Sequence, residues 1–371
     1  MTRDEQVNAK ALLIAGGGTG GHVFPAIAVA KEWLRRAASG PKEGARSVVI
    51  VGTERGLESK LVPQAGLPLE TIRVAGLKGI GGAKFLRNAA MLPLGLVDSA
   101  AILRRHRFAA GFGVGGYASG PMMLLATWNG IPTVVFEPNV ESGFTNRVLA
   151  SMATRVAVAY PETAMRFGRR AVVTGCPVRR EFLAVAPQEH RAPFHLLITG
   201  GSRGALPINR AVIGAIPLLA ARKSQLFVVH QTGEPDYNAV RVAYARHEFP
   251  AEVVSFIENM AERFAQADLI VCRSGAITVA EVSAAGRAAI FIPFGAATDA
   301  HQMRNAEAMQ AAGAARLLPQ AELTPERLAD EILSLLDQPR RNTEMEEQAR
   351  RLAKPCAVEE IVDLLEGVAQ V

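Results

Sequence analysis

The chain is poor in features that would assign it to several common protein classes. Its 371 residues include three cysteines, Cys176, Cys272 and Cys356, widely spaced and in no CxxC pair. A disulfide-stapled scaffold and a zinc ribbon are therefore not expected, and the usage fits a reducing cytoplasm. Aromatics make up 6% and no basic tract is interleaved with them, so a stacking platform for nucleic acid is missing and no nucleic-acid partner is expected. No apolar run approaches the roughly 18 residues a membrane-spanning helix needs. The amino-terminal MTRDEQVNAK is polar and lacks a secretory apolar stretch, so export is not expected. No D-x-D and no H-E-x-x-H occurs; no metal and no cofactor are expected, and a bound diphosphate would rely on helix ends and arginines.

What is present is a charge asymmetry and a repeat. Residues 1–178 carry 21 Lys/Arg against 11 Asp/Glu, a balance of +10, whereas residues 179–371 carry 20 against 24, a balance of −4. A basic half points to a phosphate-bearing substrate or an anionic membrane surface. Both halves open alike. Ala11-Leu-Leu-Ile-Ala15 runs into GGGTGGH and a helical pattern in which Pro25 is expected in the first turn; His195-Leu-Leu-Ile-Thr199 runs into GGSRGA and a second helical pattern. Thr19 and Ser202 are expected at equivalent places. Further strand-like runs at 47–51, 133–137, 171–174, 226–230, 269–272 and 288–294 alternate with helical stretches, the pattern of parallel α/β sheets. The expected domains are 1–176 and 177–355, with a hinge near Gly175-Cys176-Pro177. The final amphipathic helix, 356–371, is expected to pack back on the first domain, lowering that domain's balance to +6.

A glycine turn between strand and helix lets backbone N–H groups approach phosphate oxygens. Gly16, Gly18 and Gly21 match G-x-G-x-x-G, and GFGVGG at 111–116 reads as another such loop. A dinucleotide site would want an acidic residue about 20 positions on; Glu54 comes 33 residues after Gly21, which argues against NAD. His22, directly after the first loop, is a candidate general base. Glu281, three residues after Thr278 in a nearly uncharged helical stretch, is a candidate partner for ribose hydroxyls. Arg179, Arg273 and Arg304 are candidate anion partners. The stretch GLKGIGGAKFLRNAAMLPLGL at 76–96 reads either as an ordinary amphipathic helix or as a peripheral membrane patch built from Leu77, Lys78, Ile80, Lys84, Phe85 and Arg87.

Four segments, IAGGGTGGHVFPAIAVA, GVGGYASGPMMLLA, ITGGSRGA and CRSGAITVAEVSAAG, resemble the motifs of the MurG family in order and separation. That family transfers N-acetylglucosamine from UDP-N-acetylglucosamine to lipid I, giving lipid II for peptidoglycan. The resemblance implies a GT-B fold, two Rossmann-like domains facing across a cleft. It implies donor binding by Thr19, Gly20, Gly21, Asn139, Arg179, Ser202, Ile257 (uracil), Ala276, Ile277, Thr278, Val279, Ala280, Glu281 (ribose) and Gln302 (sugar hydroxyls). His22 matches the proposed base, and the acceptor's diphosphate is expected at Gly17, Gly18, Gly115, Gly116 and Tyr117. The expected partners are UDP-N-acetylglucosamine, the polyprenyl-linked lipid I, an anionic membrane surface and other cell-wall synthesis proteins, with a peripheral location at the cytoplasmic face of the cell membrane. Arg203, Cys176, Ala300 and the wording FEPN at 136–139 depart from the family pattern. A UDP-N-acetylglucosamine 2-epimerase and a catalytically silent sugar-nucleotide binder are the rival readings.

Overall fold

A computed structural model of the chain describes residues 11–39, 46–75, 88, 90–295 and 300–369. The chain divides into two units: the part up to Val178 together with Lys354 onward, and Arg179–Ala353.

The first unit runs β1 (Ala11–Gly16), α1 (Gly20–Ser39), β2 (Ser47–Gly52), α2 (Glu58–Gln64), β3 (Leu69–Thr71), α3 (Leu92–Arg105), β4 (Phe108–Gly115), α4 (Ser119–Trp128), β5 (Thr133–Glu137), α5 (Phe144–Met152), β6 (Arg155–Val158), α6 (Pro161–Phe167) and β7 (Ala171–Val173). All strand pairs are parallel, in the order β3-β2-β1-β4-β5-β6-β7. Every residue of β1 is buried, as expected of a strand covered by helices on both faces. The order reverses between β1 and β4, where an open α/β sheet leaves a crevice at its carboxyl edge.

Two expectations need correcting here. The GFGVGG segment is not a loop but the end of β4, the eight-residue central strand, all of it buried. Gly111 and Gly113 are strand residues crowded by Met123, Thr133 and Ser119, and only the last two glycines turn the chain. Pro25 lies inside α1 and not in its first turn, because Thr19 O already accepts from the His22 and Val23 amides.

The second unit runs α7 (Arg180–Leu183), β8 (Phe194–Thr199), α8 (Leu206–Leu219), β9 (Leu226–Gln231), α9 (Tyr237–Arg246), β10 (Ala251–Val254), α10 (Met260–Gln266), β11 (Leu269–Cys272), α11 (Ala276–Ala285), β12 (Ala288–Phe291), α12 (Ala300–Ala311), β13 (Arg316–Leu317), α13 (Pro325–Leu336) and α14 (Pro339–Leu352). Its sheet is also parallel, ordered β10-β9-β8-β11-β12-β13, with the reversal between β8 and β11. The core joins Leu196 and Ile198 of β8 to Ile208, Val212 and Ile216 of α8. Elsewhere in this unit Arg287, 1% exposed, is tolerated because its guanidinium donates to the carbonyls of Phe264, Ala265 and Ala186 at 2.7, 3.0 and 2.9 Å.

The last helix, α15 (Ala357–Ala369), packs against α1 and the first sheet. It buries Ile361, Val362 and Leu365. Its acidic side answers the basic half: Arg36 donates to Asp363, to Glu366 at 2.9 Å and to the Glu359 carbonyl at 3.1 Å, and Arg46 donates to Glu366. Among the described residues no helix is long and apolar enough to cross a membrane.

Candidate active site

At the β1/β4 crevice the first glycine loop brings His22 against the end of β4. His22 Nδ1 lies 3.1 Å from the Gly17 carbonyl and 3.2 Å from Thr19 Oγ1. A carbonyl only accepts, so Nδ1 carries the proton and Nε2 of the neutral ring is left as the basic nitrogen. Nε2 lies over Gly115: a Cβ there would stand 3.0 Å from it, and the φ of +91° also favours glycine. Burial lowers the His22 pKa from its usual value, against opposing contributions from the Gly17 carbonyl and Glu58. The ring therefore stays neutral at pH 7, as a base must. Tyr117 is exposed just beyond the glycine pair.

The loop also holds a residue that the motif does not reveal. Glu58, at the start of α2 and 1% exposed, accepts from the Gly18 amide at 2.6 Å, from the Thr53 amide at 2.9 Å and from the Thr53 hydroxyl at 2.7 Å. A Cβ on Gly17, Gly52 or Gly56 would come within 2.3, 2.5 or 2.0 Å of its side chain, so glycine is needed at all three to admit the carboxylate. The Gly18 N–H is thus committed within the protein and withdrawn from the donors that the sequence offered to an acceptor diphosphate.

Asn139 follows β5 and is held by Glu137, whose Oε1 accepts from the Asn139 backbone and side-chain amides, both at 3.0 Å. The other oxygen accepts from Gly143 N at 3.1 Å and from Asn146 at 3.0 Å. Burial raises the Glu137 pKa, and these donors oppose the rise. Glu137 was missed in the sequence because its role depends on four donors that only the fold gathers.

In the second unit the loop after β8 leaves Ser202 and Arg203 exposed. Ser202 and Thr19 stand at the same distance after β8 and β1, but Thr19 adjoins the first residue of α1, whereas α8 begins only at Leu206. Gln231, buried at the end of β9, ties this loop to the segment after β10. Its side-chain amide donates to the Gly201 carbonyl at 2.7 Å and its oxygen accepts from Ile257 N at 3.0 Å. This one side chain connects two of the expected donor-binding segments.

Across the β8/β11 crevice, Gly275 caps α11, and Ala276 to Glu281 form its first turns. Arg179 donates to Glu281 Oε1 from Nη2 at 2.9 Å and from Nε at 3.3 Å. Burial raises the Glu281 pKa, while Arg179 acts to lower it. Gln302 of α12 accepts from Phe294 N at 3.0 Å through its side chain and from Ser274 Oγ at 2.8 Å through its carbonyl. The other two arginines have structural tasks. Buried Arg273 donates to the carbonyls of Ile292 and Pro293, both at 3.0 Å, and desolvation lowers its pKa to about 10. Arg304 forms an exposed pair with Glu307.

The structure therefore gathers Gly17 to His22 with Gly115 and Gly116 in the first unit. In the second it gathers Arg179 with Glu281, and Ser202's loop with Ile257. Leu77, Lys78, Ile80, Lys84, Phe85 and Arg87 lie outside the described residues. Among the described residues no group of three or more His, Cys, Asp or Glu is placed to hold a metal ion.

Residues 12–158 match the N-terminal domain of glycosyltransferase family 28, and residues 195–361 match its C-terminal domain. A protein of Myxococcus xanthus named UDP-N-acetylglucosamine–N-acetylmuramyl-(pentapeptide) pyrophosphoryl-undecaprenol N-acetylglucosamine transferase is 44% identical over 95% of this chain and 91% of its own length. The crystal structure of Acinetobacter baumannii MurG superposes with a TM-score of 0.75 at 32% identity, over 96% of this chain and 99% of that one. A UDP-N-acetylglucosamine 2-epimerase from Neisseria meningitidis, with 12% identity and a TM-score of 0.67 over 96% of this chain and 100% of its own, shares the fold alone. With relatives this alike along nearly its whole length, the chain belongs to the MurG family of GT-B glycosyltransferases.

Proposed function

We propose that the protein moves N-acetylglucosamine from UDP-N-acetylglucosamine to the 4-hydroxyl of the N-acetylmuramoyl unit of lipid I, giving lipid II and UDP. The observation that carries this reading is the 44% identity, over 95% of the chain, to a relative named for that transfer. The geometry of the two switch points supports it. His22 takes the acceptor hydroxyl proton at Nε2 as the oxygen attacks the anomeric carbon. The bond to the UDP oxygen breaks on the opposite face, so an α-linkage becomes β. The loop of Ser202 receives the departing diphosphate, Glu281 the ribose, Ile257 the uracil, and Gln302 the sugar hydroxyls. Thr19, Gly20, Gly21, Asn139 and Arg179 also serve the donor, with Ile277, Thr278, Val279 and Ala280 lining the start of α11. Gly115, Gly116 and Tyr117 serve the acceptor's diphosphate.

The reaction in this reading needs no metal. Basic and apolar residues at 77–87 bring the enzyme to the cytoplasmic face of the membrane, where the acceptor's tail resides. The deciding assay uses purified protein, labelled UDP-N-acetylglucosamine and a lipid I analogue, with and without chelator. Labelled lipid in both conditions is expected. Product formed without acceptor would establish an epimerase, donor binding without turnover a silent binder, and loss in chelator restored by a divalent ion a metal-dependent transferase. Charge reversal at Lys78, Lys84 and Arg87 is expected to release the protein from anionic vesicles; undiminished binding would place the membrane contact elsewhere.

A further inference from the structure

We infer that Glu58 is a positioning residue for His22, acting through the single peptide group that joins Gly17 to Gly18. The inference rests on the reading of His22 as the base. The N–H of this peptide, on Gly18, donates to Glu58 Oε2 at 2.6 Å; its C=O, on Gly17, lies 3.1 Å from His22 Nδ1. The peptide is trans, since the cis bond among the described residues is Ala192-Pro193. A trans peptide is planar and its N–H and C=O point in opposite directions. Fixing the N–H on Glu58 therefore fixes where the carbonyl points, and with it the imidazole and its tautomer.

The construction around Glu58 supports a dedicated role. Its other oxygen is anchored by the Thr53 amide and hydroxyl at 2.9 and 2.7 Å, so the carboxylate cannot swing away without giving up both of those hydrogen bonds. Glycines at 17, 52 and 56 leave the space it fills. A carboxylate bound to the N–H end of a peptide also polarises its carbonyl, because linked hydrogen bonds strengthen one another. The Gly17 oxygen becomes a better acceptor for the Nδ1 proton, and Nε2 a stronger base. In hydrolytic triads a carboxylate orients the histidine directly; here one peptide unit stands between them. Among the described residues, Glu58 is a charged group whose field reaches the ring, acting to raise its pKa. Asn146, the other polar group near Gly115, is neutral and bound to Glu137.

The test combines NMR of the ¹⁵N-histidine-labelled protein with kinetics of Glu58→Gln. A glutamine of the same size cannot accept at both ends of this site. In Glu58→Gln the His22 pKa should fall by about half a unit or more, and the population of the Nδ1–H tautomer should drop. The turnover number should fall about 10-fold or more while the donor KM stays within about twofold. In a His22→Ala background, Glu58→Gln should cause no further loss of turnover. In the unmodified protein the Gly18 amide resonance should shift as His22 titrates, a measurement that needs no variant to fold. An unmoved His22 titration in Glu58→Gln, an unmoved Gly18 resonance, or losses that multiply in the double variant would overturn the inference. Normal turnover in His22→Ala would instead remove the base reading, and the two NMR titrations would still decide whether Glu58 governs the ring.

Discussion

Arg179 and Glu281 stand 102 positions apart in the chain and are bound to each other, Nη2 to Oε1, at 2.9 Å. Glu281 is 8% exposed, and burial alone would favour its neutral form. The guanidinium opposes that rise and so favours the anion, the state that best accepts a ribose hydroxyl. Arg179 also lies over the Phe182 ring at 4.7 Å, which holds the guanidinium in place. The two residues therefore work as one element.

Glu281→Gln and Arg179→Ala should each weaken UDP-N-acetylglucosamine binding by about 10-fold or more, and the double variant should lose less than the product of the two, since contacting residues couple by about 0.5–3 kcal/mol. Calorimetric titration of the donor checks this. Independent, multiplicative losses would mean the ion pair has no part in donor binding.

For His22→Ala the turnover number should fall about 10²–10⁴-fold with little change in donor affinity. In the unmodified enzyme kcat/KM should be level through pH 7 and decline on the acid side, below the ordinary imidazole range, because burial lowers the His22 pKa and only the neutral ring accepts a proton. An acid limb at or above pH ~6.5, the usual histidine value, would assign that limb to another group.

Gln231→Glu keeps the acceptor for Ile257 N but loses the donor to the Gly201 carbonyl. Removing one partner of a buried hydrogen bond costs about 1–3 kcal/mol, so UDP should bind about 10-fold more weakly while the thermal transition falls only modestly. Unaltered UDP affinity would show that the loop of Ser202 keeps its shape without Gln231.

Ile361→Ala tests the seating of α15. Ile361 is fully buried, and such truncations cost about 2–5 kcal/mol. Chemical denaturation should show the first unit losing stability while UDP affinity, which the proposed function assigns mainly to Ser202, Ile257 and Glu281 of the second unit, is retained. An unchanged unfolding curve would mean that α15 contributes little to that unit.

His190 sets a pH dependence of stability. Its hydrogen bond to Asp268 at 2.8 Å, with Glu346 nearby, raises its pKa to about 9. The folded value lies above the unfolded one, so the contribution is fully present below pH ~6.5 and is lost as pH rises through about 9; at 13% side-chain exposure it is of the order of 3 kcal/mol. Urea unfolding at pH 6.5 and 9.5 should show this loss in the unmodified protein and a reduced loss in His190→Asn. Equal slopes in both proteins would exclude His190 as the source.

The repeat of apolar run, glycine turn and helix was legible in the sequence because each of its parts has a local cause: a short apolar run for the buried strand, glycine for the turn, spacing for the helix. The motif wording carried the family. The central strand β4 was misread because Gly111, Gly113 and Gly115 imitate a loop, although Gly111 and Gly113 are there to admit Met123, Thr133 and Ser119. Glu58, Glu137 and Gln231 were invisible for a different reason. Each is a buried polar side chain whose partners come from other elements, and no periodicity marks such a residue.

The return of α15 to the first sheet fixes an order of assembly. During synthesis the ribosome finishes the whole of Arg179–Ala353 before it supplies the helix that completes the lobe begun at β1. Domains tend to fold as they emerge, so the nascent amino-terminal lobe waits with an uncovered face, into which Ile361, Val362 and Leu365 later settle. A fragment cut at Val178 would carry that open seam permanently, whereas a shortened gene joining 1–178 directly to 354–371 would close it.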